Sequence, residues 1–161
     1  MLRLSLPVDW PDCQDVLSLR LSQLEKNPML QPWLLRGIGL RHRRAMIGHI
    51  GFHDAPGAAY LDSYAPGGVE IGFTVFPEFR RQGYAREATL ALIHWARQAH
   101  GIARFVVSIS PQNIPSLSLA KQLGFSRIGS HIDPIDGPED IFELRYSFRT
   151  LTGLQLPPRQ P

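Results

Sequence analysis

From Val69 to His100 the chain changes its hydrophobic period once, and that change constrains the fold more than any other feature. Val69 to Phe76 (VEIGFTVF) is dense in β-branched and aromatic residues and stops at Pro77, the pattern of a strand. Arg80 to Arg86 (RRQGYAR) follow. Ala85, Ala88, Leu92, Trp95, Ala96 and Ala99 then fall on one stripe with Gly101 as a stop, which predicts a helix over Tyr84 to His100. A helix start presents unpaired N–H groups and the positive end of the helix dipole, and Gly83 lets a ligand approach the backbone closely. With Arg80, Arg81 and Arg86 around it, the turn is an anion cradle suited to a phosphate or pyrophosphate. On the turn alone, an ordinary solvated helix start fits the residues equally well.

The flanking sequence predicts a sheet for that helix to cover. Pro11 to about Lys26 reads as a helix, with Val16, Leu17, Leu21 and Leu24 at helical spacing and Asn27-Pro28 as the stop. Trp33 to Arg41 and Ala45 to His53 read as antiparallel strands around the charged turn His42-Arg43-Arg44. Asp54 to Gly68 holds Pro56, Gly57, Pro66, Gly67 and Gly68 and reads as a long loop of the kind that borders sites. Ala103 to Ser110 predicts a strand, Pro115 to Leu123 a short helix closed by Gly124, and Phe125 to Ile132 another strand. Pro134 to Asp140 reads as a turn before a last strand, Ile141 to Phe148, and Leu151 to Pro161 as a loose tail. This order predicts an α/β (α+β mixed) fold, a mixed sheet flanked by helices, and neither a repeat nor a doubly wound parallel sheet.

At 161 residues, 43% hydrophobic and 19% charged, the chain favours one domain and excludes global disorder. The net charge of +3 is spread along the sequence, without the basic stripe and interleaved aromatics of a nucleic-acid binder. The one cysteine, Cys13, excludes a disulfide framework or a cysteine-rich zinc site. No stretch approaches the ~20 apolar residues of a membrane span. Met1 to Trp10 lacks a signal-peptide core, so no membrane association and a cytoplasmic location are expected. His49 and His53, four apart on a strand, can share a face; without further ligands they read as structural or substrate-lining residues, and no metal is expected. Trp10 and Trp33 read as core or cleft wall, and His94 and His100 as helix-surface groups.

Arg80-Arg81-Gln82-Gly83-Tyr84-Ala85 after the VEIGFTV strand resembles the R-x-x-G-x-A acetyl-CoA motif of the GCN5-related N-acetyltransferase (GNAT) superfamily. Asn113, Ser116 and Leu123-Gly124-Phe125 resemble that superfamily's N-x-x-S…L-G-F segment, in the expected order. The similarity runs from Pro7 to Leu144 and is nearest to the RimJ/RimL-like branch. It implies one GNAT-like acetyltransferase domain over residues 1–148, a tail over 149–161, and a mostly antiparallel mixed sheet splayed at an acetyl-CoA slot. By resemblance, the strand from Glu70 to Phe76 carries a bulge, and pantetheine lies beside it as a pseudo-strand bonded to backbone groups of Thr74 and Phe76. The pyrophosphate sits on N–H groups of Arg81, Gln82, Gly83, Tyr84, Ala85 and Arg86, and Asn113 and Ser116 face the cofactor arm. From the residues themselves, Ser116 reads equally as a helix-start cap and Asn113 as a turn residue.

The implied reaction moves the acetyl group of acetyl-CoA to a primary amine, on a protein N-terminus or a small molecule, by direct attack through a tetrahedral intermediate. The amine must lose a proton, and Glu70 matches a strand glutamate that serves as base in some members. Orientation of substrate or pairing with an arginine is the other reading of Glu70. Backbone N–H groups of Thr74 or Val75 are candidates for the oxyanion. Where many relatives carry an acid tyrosine this chain has Ala120, and Tyr84 reads as a packing residue. Relatives usually begin with a strand and a helix ahead of the segment resembling Leu6 to Pro11, which here lies at the start. A missing first strand would expose Trp33-Leu34-Leu35 as a sheet edge, and a homodimer covering it is expected. The alternative function is a noncatalytic acyl-CoA-binding or regulatory module.

Overall fold

The computed structural model describes residues 14–147. Cys13, Trp10, the Leu6–Pro11 segment and the tail lie outside the described residues. Helix α1 (Gln14–Lys26) ends where Asn27 accepts a hydrogen bond from the Met29 amide at 3.1 Å and Pro28 opens a single 3₁₀ turn. Then come β1 (Arg36–Leu40), β2 (Ala45–Phe52), β3 (Val69–Val75), α2 (Tyr84–His100), β4 (Arg104–Ile109), α3 (Ile114–Gln122), β5 (Ser126–Asp133) and β6 (Gly137–Arg145). The six strands form one sheet in the order β1-β2-β3-β4-β6-β5. Every neighbouring pair is antiparallel except β3 and β4. This is the expected mixed, mostly antiparallel sheet.

Hydrophobic period decides the layers. On one face Ile50, Phe52, Ile71, Phe105 and Val107 meet Leu92, Ile93 and Ala96 of α2; of the stripe read from the sequence Leu92 and Ala96 are buried, Ala85, Ala88 and Trp95 half-buried, and Ala99 exposed. Gly101 ends α2 in the left-handed region at φ 67°, its N–H bonded to Arg97 O. On the other face Val106 and Ile141 pack against Leu61 and Ala65. The loop from Asp54 to Gly68 therefore covers the sheet, with a 3₁₀ turn at Ala59–Leu61.

Three expectations are corrected. Trp33 and Leu34 are not an exposed strand edge: they are 9% and 2% exposed, and Trp33 packs against Phe52 and Trp95 of the same chain. The edge strand beside β2 begins only at Arg36, so Trp33 and Leu34 belong to the core and not to a sheet edge. His100, exposed at the end of α2 as a helix-surface group, sets its ring tilted against Trp33 and edge-on to Trp95. The expected turn at Pro134–Asp140 is shorter, because Asp133 Oδ1 accepts from the amides of Ile135 and Asp136 and closes the hairpin at Gly137. Pro138 then joins β6 opposite Ile132, beyond the residues that pair with β4, where a missing N–H costs no ladder bond. Finally, β3 carries no bulge against β2. Its register is unbroken from Phe52↔Ile71 to Gly48↔Val75. The irregularities fall in the β1–β2 and β5–β6 pairings instead.

The splay is present without the bulge. β3 and β4 pair only at Val69↔Phe105 and Glu70↔Val106, and beyond these the strands diverge.

Candidate active site

A cavity of about 330 Å³ fills the gap between the diverging strands, walled by Ile71 and Phe73 on one side and Ser108 and Ser110 on the other. A second cavity, of about 190 Å³, lies between α1 and the strands β2 and β3. His53, Gly72 and Phe73 line both.

The register of β3 decides which backbone groups face the gap. The amide of His53 donates to Glu70 O, and that of Phe76 to Ile47 O, each at 2.9 Å. Even-numbered residues of β3 therefore turn their N–H and C=O to β2, and Ile71, Phe73 and Val75 turn theirs toward the diverging β4. Thr74 and Phe76 are thus not the pairing groups expected from the sequence, since Phe76 N–H is engaged by β2 and its ring packs with Met46 and Phe79. Thr74 lines the smaller cavity. Val75 O accepts from Arg80 Nε at 2.9 Å, which ties the arginine turn to the strand end. The groups open to a pseudo-strand are those of Ile71 and Phe73 and the N–H of Val75.

The arginine turn is strongly curved: Arg81 and Gly83 have φ of 57° and 86°. Gly83 caps α2 with no side-chain hydrogen bond, leaving the amides of Tyr84, Ala85 and Arg86 to whatever lies in front of the helix. Arg81, Gln82, Gly83 and Arg86 are exposed and Tyr84 and Ala85 half-buried. Across the gap, Asn113 is the cap of α3, its Oδ1 accepting from the Ser116 amide at 3.2 Å. Asn113 and Ser116 both line the larger cavity, as does Ala120.

Glu70 sits at the last position where β3 pairs with β4, 5% exposed, and lines neither cavity. Its carboxylate is surrounded by donors. Ser108 Oγ donates to Oε1 at 2.6 Å, His53 Nδ1 lies 3.4 Å from Oε2, and the Tyr60 hydroxyl donates as well. Burial pushes the carboxyl up, but the bonds and charge of His53, Ser108 and Tyr60 outweigh it and hold Glu70 below the usual carboxylate range. Tyr60 is pushed up, first by burial and then by the Glu70 charge.

His53 is what joins the two cavities. With Nδ1 at the carboxylate, its other nitrogen lies over Gly72, where a Cβ would come within 2.5 Å of Nε2. Only glycine leaves room for the ring. Its backbone is fixed from α1, since Arg20 Nη1 and Gln23 Nε2 donate to His53 O at 2.9 and 3.0 Å. A neutral imidazole that donates through Nδ1 has a lone pair on Nε2, and such a nitrogen can take a proton. Tyr60, Ser108 and Arg20 went unassigned in the sequence, and His53 read only as a structural or substrate-lining residue; the one signal was the His49–His53 spacing, which placed both on a face without saying which faced Glu70.

A model of the acetyltransferase (GNAT) domain matches residues 5–126, and the chain belongs to that family. The uncharacterized N-acetyltransferase YnaD of Bacillus subtilis (strain 168) is 31% identical over 90 residues, which cover 56% of this chain and 48% of that protein. The chain thus matches about half the length of that curated relative. Among solved structures, the ribosomal-protein-S5-alanine acetyltransferase of Vibrio fischeri superposes with a TM-score of 0.62 at 15% identity, covering 89% of this chain and 79% of that one. The ribosomal L7/L12 α-N-protein acetyltransferase RimL, solved with coenzyme A, superposes with a TM-score of 0.53 at 20% identity over 64% of this chain and 57% of that one. At these identities the likeness is one of fold. No described helix is long and apolar enough to cross a membrane.

Proposed function

We propose that this chain is an acetyl-CoA-dependent N-acetyltransferase acting on a primary amine, in which His53 takes the amine's proton and Glu70 positions His53. The observation that carries this reading is the imidazole over Gly72, backed by a buried carboxylate and lining both cavities. Acetyl-CoA supplies an acyl group activated as a thioester. The open backbone edge of Ile71 and Phe73 suits the amides of its pantetheine arm, and the uncapped α2 start with its arginines suits its pyrophosphate. The amine approaches from the smaller cavity. As its nitrogen bonds to the acetyl carbon, His53 Nε2 accepts the proton; as the carbon–sulfur bond breaks, the same proton is returned to the sulfur. The products are the acetylated amine and the free thiol, and His53 ends as it began.

Glu70 is thereby a positioning residue. It is saturated by donors and faces neither cavity, so it fixes the Nδ1–H tautomer of His53 instead of meeting the amine. The RimL and Vibrio fischeri neighbours act on ribosomal proteins according to their names, which makes a protein N-terminus one acceptor class to test alongside small amines.

The test is release of CoA thiol from acetyl-CoA across an amine panel, with calorimetry of acetyl-CoA on each variant. His53→Gln is expected to lower kcat by about 10² to 10⁴ while acetyl-CoA affinity holds. Glu70→Gln is expected to lower kcat less, with KM for the amine and acetyl-CoA affinity unchanged. Full kcat in His53→Gln would overturn the role of His53. Binding of acetyl-CoA with no amine-dependent thiol release would favour the noncatalytic module.

A further inference from the structure

Two residues that line the smaller cavity each carry a buried nitrogen with no hydrogen-bond partner. His49, 4% exposed on β2, lines it with Nδ1 unpartnered, and Arg20 of α1 lines it with Nε also buried and unpartnered. Elsewhere Arg20 is well used: Nη1 donates to Gln23 Oε1 at 2.7 Å and to His53 O. A guanidinium bound through Nη1 alone keeps its Nε side for another acceptor, and that side is the one suited to a planar two-oxygen group. Asp54 and Glu70 lie near enough to act on the Arg20 charge, yet neither reaches ion-pair distance.

A buried polar nitrogen without a partner is costly, and a part-buried charge with no ion-paired counter-charge more so. Water could fill a space of about 190 Å³ but would leave Arg20 without an ion-pair partner. Burial and then the Arg20 charge lower the His49 imidazole, so beside the cation it is a neutral ring able to donate through Nδ1. A carboxylate answers both groups at once. We infer that the acceptor is an amino carboxylate, its amine at His53 and its carboxylate held by Arg20 and His49.

The strand sets the spacing. Gly51 pairs with Gly72, under the His53 ring, and His49 lies two positions further along β2, about 7 Å away. An acceptor whose amine and carboxylate are several bonds apart fits that distance. This inference rests on the acetyltransferase reading of the site, and its test separates the two.

The probes are 5-aminopentanoate, its amide 5-aminopentanamide, and pentylamine, matched in length and differing at the far end. Thiol release from acetyl-CoA is expected to show kcat/KM at least tenfold higher for the carboxylate than for the other two. His49→Leu is expected to shrink that preference, with Tm confirming a folded variant. Glutarate, which carries no amine, is titrated by calorimetry in parallel: it is expected to bind the parent chain and to bind Arg20→Met at least tenfold more weakly. Equal kcat/KM for all three amines without glutarate binding overturns the inference and leaves acetyl transfer standing. Equal rates for the carboxylate and the amide, both above pentylamine, overturn it in favour of a carbonyl such as that of a peptide. Glutarate binding that depends on Arg20, with no thiol release from any amine, keeps the carboxylate site and overturns acetyl transfer.

Discussion

At the start of α2, neighbouring residues from Arg80 to Arg86 make a site largely from backbone, whereas around His53 the groups arrive from α1, β2, β3, β4 and the covering loop. The first region is exposed and needs one glycine and a helix start. The second is largely half-buried around the buried Glu70 and depends on side-chain hydrogen bonds, two to the His53 carbonyl and one to the Glu70 carboxylate, that join residues 30 to 38 apart in the chain. Backbone donors at a helix start survive most substitutions, because every residue but proline brings an N–H. A side-chain web fails when one member moves. The acyl-donor end should therefore tolerate change in its arginines, and the acceptor end should not tolerate a single added methyl.

The sharpest break of that contrast is Gly72→Ala. The new Cβ would sit 2.5 Å from His53 Nε2 and must displace the ring from Glu70, so kcat should fall by about 10² while acetyl-CoA affinity changes little. Steady-state thiol release with calorimetry decides it; unchanged kcat would mean that the ring position is irrelevant to turnover. Next is Gly83→Val. Nothing lies within 4 Å of a Cβ there, so the effect comes from φ 86°, a left-handed conformation that costs an L-residue about 1 to 2 kcal/mol. Acetyl-CoA affinity should weaken by about tenfold, more than for Arg81→Ala, which keeps every backbone donor. Affinity lost equally in both variants would make the cradle a matter of charge.

The smallest effect is in stability against pH. Glu70 is held below its unfolded value, so its contribution is present above that value and is lost as pH falls through the folded one. Tm of the parent chain should thus fall more steeply between roughly pH 5 and pH 3 than Tm of Glu70→Gln, which has no charge to lose. Parallel curves in a thermal shift series would show that the donors around Glu70 do not favour its charged form.

Much of the fold was legible because its signals are local. The stripe on α2 and the β-branched run of β3 depend on residues a few positions apart. Trp33-Leu34-Leu35 misled because an apolar run looks the same whether it forms a strand or crosses over the core, and only Trp95 and Phe52 decide which. The hairpin at Asp133 misled because one carboxylate, by accepting two amides, replaced a turn that composition made longer. The site divides the same way. The turn from Arg81 to Arg86 and the glutamate at position 70 were named from contiguous motifs, the glutamate as the base itself. His53 was not, because its importance comes from Glu70 beside it and from the space that Gly72 leaves, neither of which a spacing rule contains. The alternation of β3 was readable, but not its phase, so Thr74 and Phe76 were named where Ile71, Phe73 and Val75 face the gap.

Helix α1 buries none of its residues, yet it holds the His53 carbonyl through both Arg20 and Gln23. An element attached by polar ties and little apolar area opens at low free energy without disturbing the sheet beneath it. The wall of the acceptor cavity is therefore the most easily detached of the described helices, and amide exchange should run faster along α1 than along α2. An acceptor that bridges Arg20 and His49 would fasten it down, so that occupancy of the site and docking of its wall become a single event.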